Sequence, residues 1–344
     1  MGSLVLVPSD KVLAECVRSA TSAPSLHNSQ PWRFVIIGNT VEVYADPDRR
    51  LLVLDPAGRE QLISVGAALF TLRLAVSRAG FASRTRLFPS PDEPDLVARL
   101  TVKGRAPVSS SAQALAAAIP HRHTNRWAFT AAPVPEAVLN SLRDAAQRER
   151  AVLTVAAPPA RAAILGLARS ADRWLRARPG YGTELARWTA TGQDRDGVPP
   201  WATGVADVRG TMPLRDFAEA SVAPRPVETF EPQPTILALA TAGDRPADWV
   251  RAGQALQRVL LSATCQQLAA MPISQLVEVP AVRNVLSNAA GGLSVQMVLR
   301  VGYGAARAGT PRRPLAEVLT TRRAPAEAQP RAARGTRRAR AAAR

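Results

Sequence analysis

The chain has 344 residues, 47% of them hydrophobic, which is enough for two lobes or one large α/β unit with a substantial core. Its formal net charge of +17 comes almost entirely from arginine, and residues 322–344 hold eight arginines and one glutamate. No zinc-finger spacing or aromatic-basic stripe accompanies this charge, so we do not expect nucleic-acid binding. No uninterrupted apolar run reaches membrane-spanning length and no signal peptide is recognisable, so we expect a cytoplasmic protein without a membrane partner.

The predicted elements begin with a helix that follows an N-capping serine. Ser9 precedes apolar residues that share one helix face as far as Thr21. The polar turn APSLHNSQP comes next, and residues 32–45 then alternate around Gly38-Asn39 as a β-hairpin. A long apolar helix over residues 58–80 and two strands, over residues 84–89 and 96–103, complete the first part.

The second part of the chain combines helices and strands in a similar way. Helices are predicted over residues 133–147, 159–176 and 246–270 and from residue 281, and strands over residues 151–157, 235–241 and 295–304. Residues 179–233 are different, because they are rich in glycine and proline and lack a clear period. Long segments of this kind are typical of functional lids or disordered inserts. Four large aromatic residues favour a lid that packs on the rest of the protein: Trp188, Trp201, Phe217 and Phe230.

The two longest predicted helices resemble each other. When VGAALFTLRLAV is aligned with AGQALQRVLLSA, Gly66 meets Gly253 and Leu69 meets Leu256. A glycine inside a helix costs about 1 kcal/mol relative to alanine. Two such glycines at matching positions predict a close crossing of the two helices, and we interpret the chain as an internal duplication. The alternative is coincidence in an alanine-rich sequence.

Motifs for side-chain catalysis are absent from the sequence. There is no GxSxG nucleophile elbow and no GxxxxGK[ST] phosphate loop. The histidines His27, His121 and His123 have no carboxylate or cysteine at metal-ligand spacing, so we expect no metal site. No catalytic side chain stands out either. If the protein is an enzyme, a bound cofactor is expected to carry the chemistry.

Three polar clusters remain, and each is rich in hydroxyl, amide or guanidinium groups. They comprise Ser25, Asn28 and Gln30; Arg122, Thr124 and Arg126; and Arg312 with Arg313. Each alone is compatible with a solvated loop or a helix cap. Together they fit a ligand with a phosphate at one end and a polar ring at the other, because arginines with a hydroxyl bind phosphate well.

These clusters resemble the signatures of a known family. APSLHNSQPWRF is similar to the Pro-Ser-x-x-Asn-x-Gln-Pro-Trp motif of the FMN-dependent nitroreductases, and HRHTNRWAF resembles the basic-Ser/Thr-Arg element of that family. The order of the two motifs is reversed relative to the short nitroreductases. That order, with ELARWTATGQDRDGVP and GYG…TPRRPLAEVL, resembles the two-lobed Acg-like NAD(P)H nitroreductases over residues 9–320.

The resemblance implies where a cofactor would bind. FMN would have its phosphate and ribityl chain held by Arg122, Thr124, Arg126 and Arg312. The flavin ring would be lined by Ser25, Asn28, Gln30, Pro31, Trp32, Arg33 and Phe34. Thr310 stands where relatives often have a lysine, which removes one phosphate contact. Each cluster occurs once, so the resemblance implies one FMN per chain.

The resemblance also implies a fold and a function. We predict an α+β fold with antiparallel-rich sheets flanked by helices, in which two pseudo-symmetric lobes imitate the family's homodimer. The lobes are predicted at residues 1–105 and 106–320, with a lid over residues 179–233 and a disordered tail over residues 321–344. The implied activity is transfer of hydride from NAD(P)H through FMN to a nitroaromatic or quinone-like small molecule, by a monomer or homodimer. The alternatives are a flavin-sequestering protein with a closed lid and little turnover, and a relative that has lost flavin.

Overall fold

The computed structural model of the chain describes residues 7–189, 195–217 and 226–322. The elements of the first part follow the predicted order closely. Their bounds are α1 (Asp10–Ala20), β1 (Trp32–Ile37), β2 (Thr40–Ala45), α2 (Arg59–Arg78), β3 (Phe81–Leu87) and β4 (Leu96–Arg105). The Ser9 hydroxyl oxygen caps α1 by accepting from Val12 N at 3.4 Å, and Gly80 ends α2 with a φ of 81°.

The second part adds eight helices and seven strands within the described residues. The helices are α3 (Ser110–Ala118), α4 (Glu136–Gln147), α5 (Pro158–Arg176), α6 (Tyr181–Arg187), α7 (Pro246–Cys265), α8 (Gln275–Glu278), α9 (Pro280–Ala289) and α10 (Leu315–Val318). The strands are β5 (Val152–Val155), β6 (Ala206–Asp207), β7 (Val227–Glu228), β8 (Thr235–Thr241), β9 (Ala269–Pro272), β10 (Ser294–Gly302) and β11 (Leu319–Arg322).

The strands form two main sheets and one small ribbon, which makes the protein α+β as predicted. The first sheet has the order β11-β1-β2-β4-β3, and only its β1–β11 pair is parallel. The second sheet, β5-β8-β10-β9, is antiparallel throughout. Strands β6 and β7 pair separately in parallel.

Helices α2 and α7 cross between the two sheets at the predicted pair of glycines. A Cβ at Gly66 would lie 3.1 Å from the Gly253 Cα and still closer to the Val250 carbonyl oxygen. A Cβ at Gly253 would likewise meet the Ile63 carbonyl oxygen and would lie 2.9 Å from the Gly66 Cα. The helices approach this closely because neither glycine has a side chain. The crossing is as predicted, whereas the duplication and the two-lobe division stay predictions.

Helix α2 is the most deeply buried of the long helices in the described part of the chain. Sixteen of its 20 residues are buried, and it packs against α1, α3, α7 and the first sheet. By length and composition alone it is apolar enough to cross a membrane, and 78% of its apolar window is buried inside the fold. We therefore interpret its apolar character as that of a core helix.

Several elements depart from the sequence-based prediction, among them α6, β6 and β7, which form within the lid segment where no helix or strand was predicted. The helix predicted over residues 246–270 ends at Cys265, because Gln267 adopts a left-handed φ of 58° and β9 then pairs with β10. Helix α3 was not predicted. Strand β11 was not predicted either, and it extends two residues into the range assigned to the tail. The tail beyond residue 322 lies outside the described residues.

Candidate functional site

The polar turn between α1 and β1 holds three non-glycine residues in the left-handed backbone region. Their φ angles are 49° at His27, 55° at Asn28 and 49° at Gln30. Such conformations cost of the order of 1–3 kcal/mol each and persist only where the surroundings impose them. The Ser25 hydroxyl oxygen helps to impose them by accepting a hydrogen bond from Gln30 N at 3.0 Å. Strain of this kind is typical of functional sites.

The segment that contains Arg312 and Arg313 packs directly on this polar turn. Arg312 Nη1 donates to Asn28 Oδ1 at 2.9 Å, and Arg313 N donates to Gln30 Oε1 at 2.9 Å. Asn28 Nδ2 donates in return to the Pro311 carbonyl oxygen at 3.1 Å. The side-chain amides of Asn28 and Gln30 thus join the polar turn to a segment that lies more than 280 residues further along the sequence.

The third cluster completes the arrangement. Thr124 forms an isolated parallel bridge with Ala270 of β9, which fixes the segment around it. Arg122 Nη2 donates to the Ser22 carbonyl oxygen at 3.3 Å, and Arg312 Nη2 donates to the same oxygen at 3.3 Å. This shared acceptor places the two guanidinium groups beside each other.

A cavity of about 50 Å³ lies between the three clusters, and we call it the arginine cavity. It is lined by Pro24, Ser25, Asn28, Arg122, His123, Thr124, Arg126, Trp127, Val198, Trp201, Ala202, Arg307, Ala308, Thr310 and Arg312. Four of these residues are arginines, and none of them is an aspartate or a glutamate. Such a lining favours an anionic ligand.

Two of these arginines carry charge that no acidic side chain balances within the described residues. Arg122 and Arg312 form no ion pair among the described residues, and the Nε atom of each is buried without a hydrogen-bond partner. Burial, together with the nearby charge of Arg312, lowers the pKa of Arg122 to about 9. Burial lowers the pKa of Arg312 to about 10. A buried charge without a counter-charge is unfavourable, so a bound anion would stabilise this site.

A second cavity, of about 90 Å³, adjoins the first, and we call it the turn cavity. It is lined by Pro24, Ser25, Leu26, His27, Glu60, Ile63, Ser64, Ala67, Thr124, Arg126, Pro213, Leu214, Arg215, Phe217, Leu256, Met271, Pro272, Ser274 and Met297. The two cavities share Pro24, Ser25, Thr124 and Arg126. A mainly apolar lining with a few polar side chains is typical of a site for an organic ligand.

The predicted lid contributes to both cavities and contacts the polar turn. Gly197 O accepts from Asn28 Nδ2 at 3.0 Å, and Arg195 O accepts from Gln30 Nε2 at 2.8 Å. The Phe217 ring lies 4.6 Å from the guanidinium carbon of Arg126. Of the four lid aromatics, only Trp201 is exposed; the others are buried: Trp188, Phe217 and Phe230. Residues 190–194 and 218–225 of the lid lie outside the described part of the chain.

The structure brings together six of the predicted site residues and leaves five away from the two cavities. The six that line a cavity are Ser25, Asn28, Arg122, Thr124, Arg126 and Arg312. Gln30 is buried within the polar turn, Pro31 is buried beside it, and Trp32 and Phe34 are buried in the core of the first sheet. The side chain of Arg33 is 51% exposed and lies 3.9 Å from Asp46. A role for these five in binding the ring stays a prediction.

Several cavity residues were not identified from the sequence. Glu60 and His27 line the turn cavity, as does Arg215, and Arg307 lines the arginine cavity. Glu60 lies on a helix whose period predicts only burial, and Arg215 lies in the aperiodic lid. Only His27 carried a signal, since it stands inside the polar turn.

The protein is thus an α+β protein with an arginine-lined cavity beside a mainly apolar one. No family model matches the chain. Two relatives from Mycobacterium tuberculosis H37Rv match most of the chain in sequence. "Putative NAD(P)H nitroreductase Rv3131" is 34% identical over 89% of this chain and 91% of its own length. "Putative NAD(P)H nitroreductase acg" is 30% identical over 90% of this chain and 96% of its own length. The chain therefore belongs to the nitroreductase-like family.

A comparison of structures gives a more distant match. The FMN-dependent nitroreductase NfnB from Mycobacterium smegmatis, solved in complex with NADPH, is 18% identical, covers 60% of this chain and 96% of its own, and has a TM-score of 0.38. Family membership rests on the two sequence relatives.

Proposed function

We propose that the protein is an FMN-binding oxidoreductase that accepts electrons from NAD(P)H and reduces a small nitroaromatic or quinone-like molecule. The observation that carries this proposal is a pair of arginines without an acidic partner among the described residues: Arg122, which is buried, and Arg312, which is half-buried with its Nε atom buried. They lie in a cavity that adjoins a mainly apolar one. A ligand with a terminal phosphate and a flat heteroaromatic ring has the chemistry that both cavities favour.

The residues present fit such a ligand. Arg122 and Arg312 offer unpartnered Nε–H groups to a phosphate, and Arg126 reaches the boundary of the two cavities. Thr310 holds Arg312 in place, because its hydroxyl oxygen accepts from Arg312 Nη1 at 2.6 Å. Ser25 and Thr124 line both cavities and would contact the middle of the ligand. When bound, FMN supplies two-electron chemistry that none of these side chains provides.

A second candidate function is flavin binding without turnover. The observation that favours it is the contact between lid and turn, where residues 195–197 bond to Asn28 and Gln30 and the Arg49 guanidinium pairs with Asp196 at 2.6 Å. A lid held in this way limits access of a second substrate to the turn cavity. The cytoplasmic location, the absence of membrane and nucleic-acid partners, and the choice between monomer and homodimer stay predictions.

Absorbance of the purified protein and anaerobic addition of NADPH separate these candidates. The proposed oxidoreductase should be yellow and should bleach with NADPH, then recover its colour with p-benzoquinone. A yellow protein that NADPH does not bleach supports sequestration instead. A colourless protein that binds no added FMN contradicts both candidates.

A further inference from the structure

Two buried ionisable side chains in the turn cavity have polar atoms without partners among the described residues. Glu60 is 3% exposed; its Oε1 accepts from Arg59 Nη2 at 2.8 Å, while its Oε2 has no hydrogen-bond partner. His27 is 5% exposed, and neither of its ring nitrogens has a partner. The His27 ring packs edge-on against Phe217, with 5.2 Å between the ring centroids. A buried polar atom without a partner is costly, so these atoms point to a polar ligand group.

The charges around Glu60 and His27 favour a proton on Glu60 and a neutral ring at His27. Burial, and then the carboxylate of Glu278, raise the pKa of Glu60 well above its ordinary value. Asp55 acts in the same direction, whereas Arg59 and Arg215 oppose the rise. Glu278 is itself ion-paired with Arg215, so that arginine is shared between two carboxylates. The raised pKa and the unpartnered Oε2 atom together favour a neutral Glu60.

His27 is affected in the opposite direction. Burial, and then the positive charges of Arg215 and Arg126, lower the pKa of His27 well below its ordinary value. A neutral imidazole offers one N–H hydrogen bond but is a poor proton donor. When two titratable groups in one site are shifted apart in this way, the group with the raised pKa is the candidate acid. In the turn cavity that group is Glu60.

Building on the proposed function, we propose that Glu60 is the proton donor to the second substrate in the turn cavity. The acceptor is a quinone or nitro compound, and its oxygen atom takes the proton. FMN bound in its reduced form would supply the acceptor with two electrons and one proton, as hydride. The carboxyl O–H bond of Glu60 breaks, its electron pair stays on the carboxylate, and a new O–H bond forms on the acceptor. Solvent returns the proton to Glu60 after the product leaves.

Unfolding of the cofactor-free protein tests the protonation of Glu60 without any activity. In the pH range between about 4.5 and the raised folded-state pKa, the folded protein binds more protons than the unfolded chain, so Glu60 makes stability fall as pH rises. The variant Glu60→Gln lacks this contribution. Its urea midpoint should therefore rise relative to wild type from pH 5 to pH 8. A difference that stays constant across this range would show that Glu60 is ionised in the fold, and would overturn the proposal.

Stopped-flow reoxidation of the FMN-loaded, NADPH-reduced protein tests the proton transfer itself. p-Benzoquinone takes up protons with its electrons, whereas ferricyanide takes up electrons only. Glu60→Gln should slow reoxidation by the quinone about 10²–10⁴-fold and leave the ferricyanide rate unchanged. Glu149→Gln, which alters a buried glutamate between Arg73 and Arg258 outside both cavities, should change neither rate.

Each outcome of the kinetic experiment has one interpretation. Equal quinone rates for wild type and Glu60→Gln would overturn the proposal. Slowing with both oxidants would show a structural role, which also overturns it. If wild-type protein fails to bind FMN or to be reduced by NADPH, the proposed function is wrong, and the unfolding experiment still decides whether Glu60 holds a proton.

Discussion

Arginines without a counter-charge explain the chemistry of the site at the scale of single residues. A guanidinium removed from water needs a counter-charge, and the arginine cavity supplies none from its own lining. The neutral acceptors around Arg312 orient it instead, namely Asn28 Oδ1 and Thr310 Oγ1. Side-chain positions are thus fixed before any ligand binds. This preorganisation lowers the entropic cost of binding an anion.

Arg312→Ala should weaken FMN binding about 10- to 100-fold, because charge-assisted hydrogen bonds contribute roughly 1.5–3 kcal/mol. Arg126→Ala should have a similar effect. Ser25→Ala removes a neutral contact and should cost less, about 0.5–1.5 kcal/mol. Fluorescence titration with FMN measures these differences, and Arg18→Ala on the exposed face of α1 is the matched control.

Riboflavin distinguishes the two ends of the ligand, since it lacks the phosphate. Its affinity should be nearly the same for wild type and Arg312→Ala. If both arginine variants keep FMN as tightly as wild type while Ser25→Ala loses it, the two cavities have been assigned to the wrong ends of the cofactor.

At the scale of secondary structure, the crossing of α2 and α7 holds the site together. Both helices supply residues to the turn cavity: Glu60, Ile63, Ser64 and Ala67 from α2, and Leu256 from α7. Their separation is set by Gly66 and Gly253, where backbone meets backbone. A small increase in that separation would move both walls of the cavity, because the packed interior transmits such shifts.

Gly66→Ala should destabilise the protein by about 1–3 kcal/mol, because the added methyl group meets the Val250 carbonyl oxygen and the backbone there cannot move aside cheaply. Gly166→Ala in α5 is the matched control. Its Cβ would have only the Arg169 Nη2 atom nearby, at 3.9 Å, so it should stabilise the protein by about 0.5–1 kcal/mol. Thermal denaturation compares the two, and an unchanged melting temperature for Gly66→Ala would contradict a tight crossing.

At the scale of the whole molecule, residues from distant parts of the chain line both cavities. The arginine cavity combines residues 24–28, 122–127, 198–202 and 307–312. The last strand, β11, returns to pair in parallel with β1 beside the polar turn. A single chain therefore contains all the lining residues described for the two cavities.

The protein should bind one FMN per chain as a monomer. Size-exclusion chromatography with light scattering gives the mass, and the ratio of flavin to protein absorbance gives the stoichiometry. Dimerisation that leaves this ratio at one is compatible with the prediction. Released FAD, a ratio of two, or loss of FMN on dilution from dimer to monomer would contradict it.

Local patterns predicted most elements and the three polar clusters, because capping, period and turn residues act over a few neighbours. The α+β class followed from the family resemblance. The sequence also predicted the Gly66–Gly253 crossing, since an interior glycine in each helix has a cost that only close packing offsets. The tertiary structure alone decided that Asn28 holds Arg312, and that Trp32 and Phe34 belong to the core. It alone placed Glu60 in the turn cavity, beneath a lid without sequence period. Strand β11 was not predicted, because its four residues acquire a strand conformation only from their pairing with β1.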